Sequence, residues 1–587
     1  MREKGGQVAA RGRTRRWDAV RRALVAVVAT VAVVVPGLTA CTSGNGVPAP
    51  TAGALAPAST VSWALDRQPL QYNPNATDGD SPANAVVLSN VLGGFWRYAP
   101  DGTVQRTTEF GTFAKIADDP LTVRYTIAPR AVWSDGVPID CDDVALAWLA
   151  NSGITGEHGF SATDVGRYQD MNKPRCEAGD KVVTITYRTP VADWETAFGP
   201  GSGWLLPAHV VEREAHLANH VVDYLETPRS PELAPAIAFW NTGWALTPGQ
   251  VRKDLLLSSG PYLIDAWEAG RSITLRPNPR WWGTPPGSGA VVIQFLDAGQ
   301  QVKALSDGKL QAMDAWADAA LVKQLRAVPA GKIKVVAGYR FDFEHLDFNL
   351  SGPFADRSLR EAFARCVPRQ QIVDRLVKPV NPAGRILQSR FVLPFQPGYG
   401  AFEPAGRAYD TVDLARARQL LAGRSPTVRI GWRKDPEQLN QGRADTLALI
   451  KASCTQAGFQ VVDAGTPTFF DREWPTGAYD VAMFSWTGSP VVAGTADLYT
   501  TGGAGNRGGY SNPQVDGLFG KLTKEPDAAR RADLLRRIDE RLWADVATVP
   551  LFAYPALAVT SDDVQGVTVN PTVTGLGWNI GEWRRRP

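Results

Sequence analysis

"YTIAPRAVWSDGVPIDCDDVALAW" (residues 125–148) decides the fold class. Its first residues close the stretch "LTVRYTI" (121–127), where polar and apolar residues alternate with the period of two that marks a half-buried strand. Trp133-Ser134-Asp135-Gly136 and then Pro138 follow. Asp140 stands where a helix needs an N-terminal acceptor, and Asp143, three residues on, occupies the acid position of a capping box. Val144 and Trp148 then share one helical face. A strand thus leads within a few residues into a helix.

The same alternation of element types continues outward. Strands are expected at "KVVTITY" (181–187), "RSITLRP" (271–277), "EHLDFNL" (344–350), "TVRIGW" (427–432) and "DVAMFSW" (480–486). Helices are expected after Asp356 in "DRSLREAFARC", and after Asp413 in "DLARARQLLAG", where Gly423 is the stop. A longer amphipathic helix spans 527–546. Interleaved helices and strands place the chain in the α/β class.

The amino-terminus reads as an export device. Arg11, Arg13, Arg15, Arg16, Arg21 and Arg22 precede an apolar run from Ala23 to Val35. Thirteen residues are too few to cross a bilayer, which needs about 20. Pro36 and Gly37 break the run, and Leu38-Thr39-Ala40-Cys41 has the bulky-small-small-Cys form of a lipoprotein signal. Residues 1–40 are therefore expected to be removed, leaving a diacylated Cys41. Acyl burial, roughly 0.8 kcal/mol per CH₂, would hold the chain on the outer face of the cytoplasmic membrane. Residues 41–60 are a Pro/Ala/Gly/Ser/Thr tether with no apolar face.

The signal carries eight of the 62 basic residues and two of the 59 acidic ones, so the body has a slight acidic excess. No basic stripe remains to suggest nucleic acid. The length exceeds one core, and two or three lobes are expected. Besides Cys41 there are four cysteines, Cys141, Cys176, Cys366 and Cys454. In an exported chain an even number suggests two disulfides, with three pairings open.

Five segments, taken in order, resemble the extracellular solute-binding proteins of ABC importers of the oligopeptide/dipeptide/nickel type. They are the opening stretch, "SSGPYLIDAWEAGRSITLRPNPRWWG" (258–283), "FNLSGPFADRSLREAFARCVPRQQIV" (348–373), "YSNPQVDGLF" (510–519) and "VPLFAYP" (549–555). The resemblance implies a two-lobed periplasmic-binding-protein-like fold with a cleft that closes by hinge motion. Lobe I is expected at 61–316 plus 556–587, with a subdomain at 95–205, and lobe II at 317–555. The pairs Cys141–Cys176 and Cys366–Cys454 are preferred because each falls within one of these lobes. The implied partners are a small-molecule or peptide ligand and ABC permease subunits. A monomer without cofactor or resident metal is expected.

Position in the family suggests ligand-binding residues. Tyr72 and Asn73 follow the first strand. Trp486 closes "DVAMFSW". The Gly-rich "TTGGAGNRGGY" (500–510) offers close backbone approach, with Arg507 as a guanidinium fork and Tyr510 at its end. One position departs from the pattern. Peptide-binding members carry Trp-x-x-Asp, whose carboxylate pairs with the peptide ammonium; here the fourth residue is Ser489. A hydroxyl supplies no counter-charge, so a neutral, N-blocked or non-peptide ligand fits at least as well.

Catalysis finds little support. "HLANH" (216–220) has Leu217 where a zinc peptidase needs Glu, and "PGSGW" (200–204) has Pro where a nucleophile elbow needs Gly. Five histidines are few for nickel binding. An alternative keeps the fold but leaves transport: a lipoprotein scaffold in cell-envelope glycolipid assembly.

Overall fold

A computed structural model describes residues 60–586 except 80, 164–165, 202, 315–316, 435–440 and 489–492. The signal, Cys41, nearly all of the tether and Ser489 lie outside the described residues.

The strands of the two larger sheets are β1 (Thr60–Leu65), β2 (Gly111–Asp118), β3 (Leu121–Ile127), β4 (Val182–Thr186), β5 (Tyr262–Glu268), β6 (Ser272–Pro277), β7 (Ala290–Phe295), β8 (Ala312–Met313), β9 (Ile333–Phe348), β10 (Thr427–Gly431), β11 (Gln460–Asp463), β12 (Val481–Thr487) and β13 (Thr548–Ser561). Ten of them form one sheet in the order β11-β10-β12-β9-β13-β8-β1-β7-β6-β5. β2, β3 and β4 form a separate antiparallel sheet.

The large sheet is continuous because β9 and β13 are long. They pair antiparallel from Ile333↔Ser561 to Asp347↔Thr548. The register shifts between Tyr339 and Phe343, where Arg340, Phe341 and Asp342 face only Tyr554. Such an irregularity bends a strand and raises its twist. On either side of it lie different cores. One draws on residues from Val61 to Ala312 and again from Ala558 to Trp583. Another draws on Leu346 to Phe552. The fold is thus α/β and two-lobed.

Local signals behave as their chemistry requires. Asp140 caps α1 (Cys141–Asn151), accepting from Asp142 N at 3.0 Å, and Asp143 accepts from Asp140 N at 3.1 Å. Asp356 caps α2 (Arg357–Cys366) and Asp413 caps α3 (Leu414–Leu421). The left-handed turn after α3 begins one residue before the expected glycine, at Ala422 (φ 49°), and continues through Gly423. The last long helix is α4 (Ala528–Asp545), capped by Asp527. The disulfides pair Cys141 with Cys176 and Cys366 with Cys454.

α4 is fastened to the C-terminal core by a buried ion pair. Arg390 Nη1 lies 2.7 Å from Asp539 Oδ1, and Arg390 also donates to the Thr548 hydroxyl and carbonyl. Both charged side chains are essentially without solvent contact. Breaking such a pair strands a charge in a low-dielectric interior. Asp539→Ala should therefore lower unfolding free energy by about 3–5 kcal/mol. The check is guanidinium denaturation, where the midpoint falls at constant slope.

Candidate functional site

Two aromatic assemblies stand out. In the first, β9 and β12 run antiparallel with Phe343 opposite Trp486 and His345 opposite Phe484. Directly opposed residues point to the same face of a sheet, so these four rings share one face, with Phe343, His345 and Phe484 buried and Trp486 half-buried. The His345 ring lies 4.4 Å from Phe484 and is parallel to Trp486 at 6.1 Å. Trp474 extends the surface, 5.7 Å from Phe484 and 6.5 Å from Trp486. The Arg507 guanidinium sits 5.7 Å over Trp474. Arg507 is exposed, and among the described residues no carboxylate pairs with it.

The second assembly is a cavity of about 430 Å³ lined by residues of 89–110, 200–204, 261–284 and 574–582. Trp96, Tyr98, Trp204, Trp281 and Trp578 supply ring surface. The indole N–H groups of Trp96, Trp281 and Trp578 each donate to a backbone carbonyl, at 2.9 Å in every case. These rings therefore offer faces rather than donors. Both arginines at the cavity are already paired. Arg97 stacks on Trp578 and meets Glu582 at 3.3 Å, while Arg106 meets Glu195 at 3.0 Å. Glu109 accepts from Thr284 N at 3.0 Å.

Trp486 and Arg507, singled out from sequence, are brought together around Trp474, which sequence reasoning missed. Tyr510 is separated from them: it is buried, its hydroxyl donating to Asp545 at 2.7 Å. Burial and that carboxylate push its pKa up. Asn506 organises the Gly-rich loop, accepting from Tyr510 N and donating to the Thr500 and Tyr510 carbonyls. Gly508 is needed for close approach to the chain itself, since a Cβ there would lie 2.3 Å from the Phe348 carbonyl oxygen.

Tyr72 and Asn73 are fully buried. The Tyr72 hydroxyl donates to the Leu257 carbonyl, and Asn73 donates to the Trp240 carbonyl at 2.8 Å. Neither lines the cavity. Trp281 lies in the expected "NPRWWG" segment, but Trp96, Trp204 and Trp578 carried no signal beyond a high tryptophan count.

Residues 105–508 match the family described as bacterial extracellular solute-binding proteins, family 5. The chain belongs to this family, a binding-protein family of ABC importers whose members share the two-lobed fold. It is 30% identical over 544 residues to the uncharacterized lipoprotein Rv2585c of Mycobacterium tuberculosis, covering 90% of this chain and 93% of that one. It is 25% identical over 530 residues to the oligopeptide-binding protein OppA of Mycobacterium bovis, covering 86% and 81%. Among solved structures, the periplasmic EDTA-binding protein EppA superposes with a TM-score of 0.75 at 22% identity, covering 90% of this chain and 96% of that one. Among the described residues no helix is long and apolar enough to cross a membrane.

The Tyr72 hydroxyl serves the fold, so Tyr72→Phe should cost about 1–3 kcal/mol by leaving a buried carbonyl unsatisfied. Thermal melting checks the cost, and ligand affinity, measured on the same variant, should not move.

Proposed function

We propose that the chain is a lipid-anchored receptor, tethered through Cys41, that closes on a short peptide or peptide-like solute and delivers it to an ABC permease. In this reading the lobes divide near residues 316 and 555, with the irregularity at 340–342 as part of the hinge. The observation that carries the proposal is the convergence of Trp486, Trp474 and Arg507. Stacked rings offer a surface to the ligand body, and a guanidinium without an acidic partner suits a terminal carboxylate. The oligopeptide-binding relative supports the ligand class. Binding rather than catalysis is the role this assigns.

Ser489 bears on the other end of the ligand. The ammonium-pairing carboxylate of peptide-binding members has no equivalent at this position, which favours ligands with a blocked or absent amino-terminus. The cavity supports a second reading. Its ring faces and internally paired charges suit a neutral sugar ring, as a scaffold in envelope glycolipid assembly would need.

Native mass spectrometry of the full chain, purified without unfolding, should reveal a co-purified solute. Trp486→Ala should then weaken binding of that solute by at least tenfold in a fluorescence titration run well below the variant's own melting temperature. Equal affinity would remove the aromatic surface from the binding site. Ser489→Asp should improve binding of free-amino peptides over their N-acetylated forms. If the wild type already prefers free amino-termini and acetylation abolishes binding, the assignment of Ser489 fails. Retrieval of an envelope enzyme with no response to any small solute would favour the scaffold.

A further inference from the structure

Beside the Cys141–Cys176 disulfide, three side chains from separate elements converge. Asp142 lies in the first turn of α1, Glu212 in the helix Ala208–Ala215, and His220 just before the turn Val221–Leu225. One donor atom from each lies within 4.8 Å of the other two. His220 Nδ1 is 3.5 Å from Glu212 Oε1 and 3.8 Å from Asp142 Oδ2. These separations are too long for hydrogen bonds. They approach the edge of a tetrahedron, about 3.4 Å, that follows from zinc–ligand bonds of about 2.0–2.1 Å.

The ligands are held in place independently of any ion. Val222 N donates to Asp142 Oδ1 at 2.9 Å, and Val221 N donates to Glu212 Oε1 at 2.7 Å. The turn that carries the imidazole thus also fixes both carboxylates, as outer contacts fix metal ligands. Asp142 is only 8% exposed, yet among the described residues no hydrogen bond reaches its Oδ2. Asp142 Oδ2 therefore faces the Glu212 carboxylate and the His220 imidazole.

"HLANH" assembles differently from its spacing. His216 takes a left-handed conformation (φ 53°) that ends the helix, so the two histidines are not on one helical face. His220 alone joins the cluster, and Asp142, 78 residues earlier in the chain, replaces the second imidazole.

We propose that Asp142, Glu212 and His220 form a binding site for a divalent transition metal, with zinc the preferred ion and water completing its coordination. The donor set, two carboxylates and one imidazole, suits zinc and not the all-oxygen shells of calcium or magnesium. The ion would cross-link the start of α1 to the 208–225 segment. This site is remote in sequence from Trp474, Trp486 and Arg507 and is independent of the solute proposed above.

The test uses the full chain in detergent, stripped of metal on a chelating resin and titrated with zinc chloride by calorimetry. One equivalent should bind with micromolar or tighter affinity and raise the melting temperature. His220→Ala, at an exposed position, should weaken binding at least tenfold and abolish the thermal shift, and Glu212→Gln should do the same. His216→Ala should leave both unchanged. Cobalt should give the visible absorption of a tetrahedral site in the wild type and lose it in His220→Ala. No stoichiometric zinc binding by the wild type, or equal binding in wild type and His220→Ala, would overturn the proposal.

Discussion

The pairing of β9 with β13 is the constraint on which the architecture depends. β13 supplies Ala558 to the N-terminal core and Val549, Leu551 and Phe552 to the C-terminal one, and β9, paired along it, supplies Leu346 and Phe348 to the latter. The three residues facing Tyr554 are not a loose insertion. Arg340 meets Asp314 at 2.7 Å, Phe341 N donates to the Pro571 carbonyl at 2.8 Å, and Asp342 accepts from the Thr487 hydroxyl at 2.6 Å. Burial raises the Asp342 pKa. Asp314 also accepts from Leu576 N, and a Cβ on Gly575 would lie 2.1 Å from its carboxylate. The crossing is thus a polar knot within an otherwise apolar sheet. Polar contacts are directional, so they fix one geometry more sharply than side-chain packing does.

On either side of the crossing the two cores solve the same problem by different means. In the C-terminal core, buried acids neutralise cations: Asp539 the buried Arg390, and Glu344, which also accepts from Tyr554, the partly buried Arg443. In the N-terminal core, large aromatic side chains dominate, among them the fully buried Trp63, Trp133, Trp240, Trp244 and Trp583. Each disulfide lies within the elements of one core, joining α1 to a neighbouring segment in one case and α2 to the helix Gln441–Ala457 in the other. Neither bridge spans the crossing.

The local grammar was legible in sequence and the tertiary assembly was not. Aspartate caps at 140, 356, 413 and 527 are contacts within four residues, so spacing alone reveals them. β3 was bounded correctly because alternation is complete over 121–127. β9 was read only from Glu344 onward, because its first half is largely exposed and lacks the buried alternate positions that mark a strand. Tyr72 and Asn73 illustrate the opposite failure. Their polar groups look available in sequence, but their partners are carbonyls more than 160 residues away. The cavity residues likewise meet only through the fold.

Tryptophan content by itself says little about ligands, since many of the indoles are core. The useful distinction is what each ring leaves exposed. Trp486 and Trp474 are half-buried, and two of the cavity rings, Trp281 and Trp578, are half-buried with their N–H groups already bonded to the backbone. A ring in that condition can recognise a ligand only through its face. Face contacts discriminate by shape and polarizability, and they are indifferent to the ligand's hydrogen-bonding ends. Directional discrimination must then come from the few free polar groups at the margins. At the β9–β12 surface that group is Arg507, which meets Trp474 and no described acid. Around the cavity the guanidinium of Arg97 is already held by Glu582 and that of Arg106 by Glu195, so a charged ligand would have to displace an existing partner. The two surfaces therefore differ in what they leave unpaired, a guanidinium at one and ring faces at the other.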